Sequence, residues 1–148
     1  MIVDEEKKVS YRQYRGVMAA VVSTVAIIFT VYHILYISGF IARVGIFMNI
    51  PQHLAIHVGL ILILVYMLLP FRKKASRDKL PWYDAILLIV GLAWNLYIVI
   101  NFSAIHARGV TASLRTYEVI GSWLNMFVIL EATRRLMGWA VPGIGAFF

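Results

Sequence analysis

The chain has 148 residues, 61% of them hydrophobic, with a mean hydropathy of +0.82, well above the roughly 45–50% apolar usage of soluble domains, so a water-soluble fold is excluded. Lys and Arg number 14 against 7 Asp and Glu, a net charge of +7, but the cations gather at the ends of apolar runs, where they meet lipid headgroups rather than nucleic acid. Cysteine is absent, which removes disulfides, thiolate metal sites and cysteine nucleophiles from consideration.

A polar, mixed-charge segment, residues 1–15, comes first, and no small-residue cleavage site follows the first apolar run, so that run is read as a retained span. Crossing a hydrocarbon core takes on the order of 20 apolar residues, and four stretches qualify. They run from about Gly16 to Phe40, His53 to Pro70, Trp82 to Phe102 and Val119 to Leu136. The third opens on Pro81-Trp82-Tyr83-Asp84, a helix-start pattern with an acid in the first turn. The fourth carries Glu131, read as the only deeply placed acid.

The expected fold is therefore an all-α integral membrane protein with four transmembrane helices, its membrane domain spanning residues 16–136. Orientation follows from Lys and Arg in short loops. Lys7, Lys8, Arg12 and Arg15 precede the first span, Arg72, Lys73, Lys74, Arg77 and Lys79 fill the second loop, and Arg134 and Arg135 close the fourth span. The opposite loops hold Arg43, Arg108 and Arg115. Both termini are thus expected in the cytoplasm. The first outer loop, Gly39 to Gln52, is itself apolar and reads as an interfacial segment or a helix extension. The tail, residues 137–148, is apolar too and reads as a lead into a partner or a further membrane element.

Candidate chemistry is sparse. His53 and His57, four apart on one helix face, have a spacing that suits a divalent metal, but no third ligand is indicated and hydrogen bonding or packing explains them. His33 and His106 read as isolated. Glu131 admits either a proton or ion relay or a local ion pair with Arg134 and Arg135, three and four residues on; the spacing favours the pair. Asn95, Ser122 and Asn125 read as interhelical hydrogen-bonding groups, and Trp94 and Trp123 as residues able to pack against another subunit. Neither paired acids, a phosphate loop nor a Ser/His/Asp arrangement can be placed in one site, so neither an enzyme nor a cofactor is expected.

Residues Leu130-Glu131-Ala132-Thr133-Arg134-Arg135 with Gly138-Trp139 and Pro142, together with Pro81-Trp82-Tyr83-Asp84, Arg108-Gly109, Gly121 and the run from His53 to Pro70, carry a resemblance. The chain resembles, over about residues 12–148, the four-span region that opens fused permeases of tripartite ATP-independent periplasmic (TRAP) transporters and corresponds to their small membrane subunit. The resemblance implies a subunit packed against a large permease subunit that itself carries the substrate and sodium sites. It also implies uptake of organic acids delivered by a periplasmic binding protein, of the TAXI class. Subunit-interface or structural roles then fall to Glu131, Arg134, Arg135, Trp123 and Asn125, and contacts to the binding protein to Arg43, His53, Arg108 and Arg115. Where the family pattern favours aspartate after Tyr117, this chain has Glu118. Fused members continue into the large permease, so both a separate subunit and the leading part of a longer chain are compatible with a sequence ending at Phe148.

Overall fold

The computed structural model describes residues 11–71, 80–109 and 115–147. Lys7, Lys8 and the basic residues Arg72, Lys73, Lys74, Arg77 and Lys79 lie outside them, and with them most of the charge that set the expected orientation. Six helices follow in order: α1 Val17–Ile37, α2 Phe40–Arg43, α3 Ile50–Leu68, α4 Trp82–Ala107, α5 Thr116–Met137 and α6 Ala140–Phe147. Among the described residues there is no strand.

Three of these helices, α1, α3 and α4, are long and apolar enough to cross a membrane, as expected of a multi-pass membrane protein. At 22 residues α5 is equally long, but Glu118, Glu131, Arg134 and Arg135 lower its hydropathy near both ends, so its length and composition alone do not mark it as a fourth span.

Several boundaries move outward from those expected, each for a local reason. Helix α3 starts at Ile50 rather than His53 because the Asn49 N–H finds the Gln52 side-chain oxygen at 3.1 Å and Pro51 fits the first turn. Helix α5 starts at Thr116 rather than Val119 because Glu118 reaches back to the Arg115 N–H at 3.0 Å. Helix α4 continues past Phe102 to Ala107. The apolar first outer loop contains the one-turn α2, and the tail forms α6.

Helix α3 is the centre of the bundle, packing against α1, α4 and α5. Its buried Leu62, Val65 and Tyr66, with Leu69 just past its end, meet Val128 and Ala132 of α5, with Leu87, Leu88 and Val90 of α4 at the flank. Glycines set how closely the helices approach, since packing rather than hydrophobic transfer holds helices together within lipid. A Cβ on Gly91 would stand 2.8 Å from Leu62 Cδ1 and 3.0 Å from Val128 Cγ1, which makes it the meeting point of three helices. A Cβ on Gly121 would stand 2.0 Å from the Trp94 ring. Trp94 therefore packs on α5 within this chain, stacked against Tyr97, and is half-buried there. Beyond Gly138 the chain folds back, and α6 runs along α5 until Gly145 faces Leu130.

By contrast, α1 is peripheral. It contains no buried residue, and among the described residues it touches only α2 and α3.

Candidate functional site

Where α3 ends and α4 begins, the chain assembles its densest polar network. Asp84, in the first turn of α4, has a side chain with no solvent exposure. Its Oδ2 accepts from Arg12 and its Oδ1 from Arg135 Nη2 at 2.7 Å. Arg135 then donates from Nε to Glu131 Oε1 at 2.9 Å, and Arg134 holds both Glu131 oxygens at 2.7 Å. Three guanidiniums thus enclose two carboxylates, leaving one formal positive charge, and each carboxylate oxygen has a cationic donor.

The same guanidiniums finish α3. A helix leaves its last carbonyls without intrahelical donors, and its negative C-terminal end attracts cations. Arg12 donates to the Tyr66 carbonyl at 2.7 Å and, through its own N–H, to the Leu68 carbonyl at 2.8 Å. Arg135 donates to the Leu69 carbonyl at 3.1 Å and lies over the Tyr66 ring. The Tyr66 hydroxyl in turn bonds the Val128 carbonyl at 2.9 Å, joining α3 to α5. Arg134 is flanked by the rings of Phe71 and Trp139 at 4.8 and 5.3 Å.

Sequence spacing had grouped Glu131, Arg134 and Arg135, and these are in contact. It missed the joining of Arg12 and Asp84, assigning one to the headgroups and the other to a helix start alone; both are buried, and Asp84, not Glu131, is the most buried acid among the described residues. Antiparallel connection was the available signal. The start of α4 and the end of α5 must lie at the same end of the bundle, which brings an acid in the first position within reach of a base in the second.

Midway along the bundle Asn95 donates to the Gly91 carbonyl at 2.8 Å and to Asn125 Oδ1 at 3.3 Å, so the buried Asn125 is an α4–α5 contact. Trp123 points outward and is 64% exposed. At the far end Glu118 is buried too. It accepts from Arg108, from Tyr97 Oη at 2.8 Å and from the Arg115 N–H. The Glu118 carboxylate raises the Arg108 guanidinium above its ordinary pKa. The Arg115 side chain goes to Tyr117 Oη at 2.8 Å. Arg108 and Arg115 thus gather around one carboxylate, whereas Arg43 is exposed at the end of α2.

His53 belongs to a separate cluster, which also corrects the expectation that His33 is isolated. His33 Nε2 lies 2.5 Å from His57 Nδ1, and Tyr32 Oη 2.8 Å from His53 Nδ1, with the Tyr36 ring stacked on His53 at 3.5 Å. His106 stacks on Phe102. Among the described residues, no group of three or more His, Cys, Asp or Glu is arranged to hold a metal ion.

The chemistry available to the Asp84–Glu131 network is cohesive. With every carboxylate oxygen engaged by a guanidinium there is no vacant pair of oxygens for a cation, and burial makes breaking any one pair costly. No family model matches the chain, and no curated protein or solved structure matches it.

Proposed function

We propose that this chain is the small four-span membrane subunit of a TRAP transporter, or the four-span region opening a fused permease, in the cytoplasmic membrane of a bacterium or archaeon. Helix α5 serves as the fourth span, and both termini face the cytoplasm. The subunit scaffolds a large permease subunit that performs sodium-coupled uptake of organic acids presented by a periplasmic binding protein.

The observation carrying the proposal is the stretch Leu130 to Arg135 with Gly138-Trp139, through which the sequence resembles that family. The arrangement of α5 supports it. Its charges turn inward to Asp84, to Arg108 and to one another, while Ile120, Trp123, Leu124 and Phe127, at helical spacing, form an exposed apolar stripe. A helix with that division fits a bundle whose buried charges are paired internally and which offers one apolar flank to lipid or to a large membrane partner. Arg43 and Arg115, exposed at the end opposite Asp84, are the groups available to a docking binding protein, with Arg108 and His53 behind them.

The deciding experiment is a mild-detergent pull-down of the tagged chain from native membranes, with partners and the chain's own full length read by mass spectrometry. A multi-span permease at equal stoichiometry, or continuation of the chain into one, is the expected result. Self-association alone would replace the proposal with a small oligomeric exporter or channel. Substituting Arg108 and Arg115 together is expected to weaken uptake or docking, and unchanged uptake would remove those residues from the docking surface.

A further inference from the structure

The histidines at the Gly39 end of α1 take no part in the scaffolding role, and their hydrogen-bond directions can be assigned. His33 Nδ1 lies 2.7 Å from the Phe29 carbonyl. A carbonyl only accepts, so Nδ1 carries the hydrogen and the Nε2 of neutral His33 is bare. That bare nitrogen faces His57 Nδ1 at 2.5 Å, so His57 donates, and its own Nε2 is left to take a proton. A first proton on His57 keeps the N–H···N bond and makes it charge-assisted. A second has to sit on His33 Nε2, which removes the acceptor and sets two cations face to face.

We infer that His33 and His57 form a pH-operated clasp between α1 and α3, closed while either ring is neutral and open when both are charged. The rest of the fold holds α1 lightly. Helix α1 has no fully buried residue, its inner face being half-buried, and among the described residues it meets only α2 and α3. At its start it is tied to the bundle by Arg12, across Gly16, whose φ is 61°. At its other end the side-chain hydrogen bonds to α3 are His33 with His57 and Tyr32 with His53, with Tyr36 stacked on His53 and Phe29 beside the His57 ring. The groups facing the clasp are Tyr32 and Tyr36 on α1 and His53 on α3, whose ring is 5.5 Å from His33 and 6.4 Å from His57. At the same end of the elements packed against α1 or α3 lie Arg43 of α2, Tyr97 and His106 of α4, and Arg115, Tyr117 and Glu118 at the start of α5. Tyr97 and Glu118 are bonded to each other, and Glu118 to Arg108. With the sole carboxylate at that end among the described residues already paired with Arg108, nothing neutralises the facing imidazoliums of His33 and His57, and their repulsion opens the pair.

The test is a spin-label distance in lipid nanodiscs containing a metal chelator, between Ile37→Cys and Ile50→Cys, both exposed positions, titrated from about pH 8 to about pH 5, the range in which imidazole changes charge. The expected result is a single narrow distance at the upper pH that is lost at the lower. A control pair at the hinged end, Val17→Cys with Trp82→Cys, holds its distance throughout. His57→Gln keeps a side-chain N–H for His33 and adds no charge, so its distance stays constant with pH. An unchanged distance in the native background overturns the clasp without reference to any variant, and so does the same shift in His57→Gln. A shift produced only by added Zn2+ overturns it in favour of a metal ion as the ligand.

Discussion

Asp84→Asn is the most informative single perturbation of this bundle. The substitution keeps the shape of the side chain and removes the charge that faces two guanidiniums, Arg12 and Arg135, whose side chains are 0% and 1% exposed. Breaking a buried ion pair from one side costs about 3–5 kcal/mol, chiefly because the remaining charge is stranded. Both arginines keep other acceptors here: Arg12 the Tyr66 carbonyl, and Arg135 the Glu131 carboxylate and the Leu69 carbonyl. The lower end applies, about 3 kcal/mol, equivalent to roughly a hundredfold in the folding equilibrium. Denaturant unfolding in mixed micelles, followed by the fluorescence of the four tryptophans, reads it directly. Arg12→Gln with Asp84→Asn removes both charges of one pair and should cost clearly less than the two single changes added together. A single-variant loss below about 0.5 kcal/mol, or strict additivity in the double variant, would refute the reasoning, since either means the pair is solvated in the folded protein.

Gly121→Ala places a methyl carbon 2.0 Å from the Trp94 ring and is expected to cost about 1–3 kcal/mol by overpacking. Trp94→Leu should restore most of that loss, and a melting curve showing no rescue would place the clash elsewhere. Gly91→Ala meets the ends of two aliphatic side chains instead, so it should destabilise less than Gly121→Ala; the reverse order in the same assay would contradict the packing described. Glu118→Gln removes the charged acceptor shared by Arg108, Tyr97 and the Arg115 N–H, and thermal unfolding should begin at a lower temperature. An unaltered melt would show that this end contributes nothing to stability. Glu131→Gln is expected to weaken co-purification with the large partner more than it alters the sodium dependence of uptake, and intact assembly with altered sodium dependence would reverse that assignment.

Long apolar runs made the helices legible, because a backbone within lipid satisfies its hydrogen bonds by coiling; hydropathy therefore found the cores of α1, α3 and α4. It could not find their ends, which are fixed by single polar contacts such as Gln52 to the Asn49 N–H. The i, i+3 and i, i+4 spacing from Glu131 to Arg134 and Arg135 was visible as well, since helical periodicity is local. What stayed hidden depended on distant segments. Arg12 and Asp84 are 72 residues apart, and nothing near either announces the other. His33 and His57 pair across two helices whose rotation one sequence does not specify. Trp94 looked available to a partner because the glycine that receives it, Gly121, lies on another helix.

Joining Arg12 to Asp84 and Asp84 to Arg135 also has a bearing on how the chain is made. Synthesis runs from the N-terminus, so Arg12 emerges 72 residues before its carboxylate, and Asp84 then precedes Arg135 by a further 51. Until α5 arrives, the end of α3 has one of its two cations and Asp84 one of its two partners. The last long helix, the most charged of the four, therefore enters a bundle already holding the counter-charge for Arg135, and its entry completes the bonding of the helices before it. A nascent chain halted before residue 135 holds the three apolar helices without that closure.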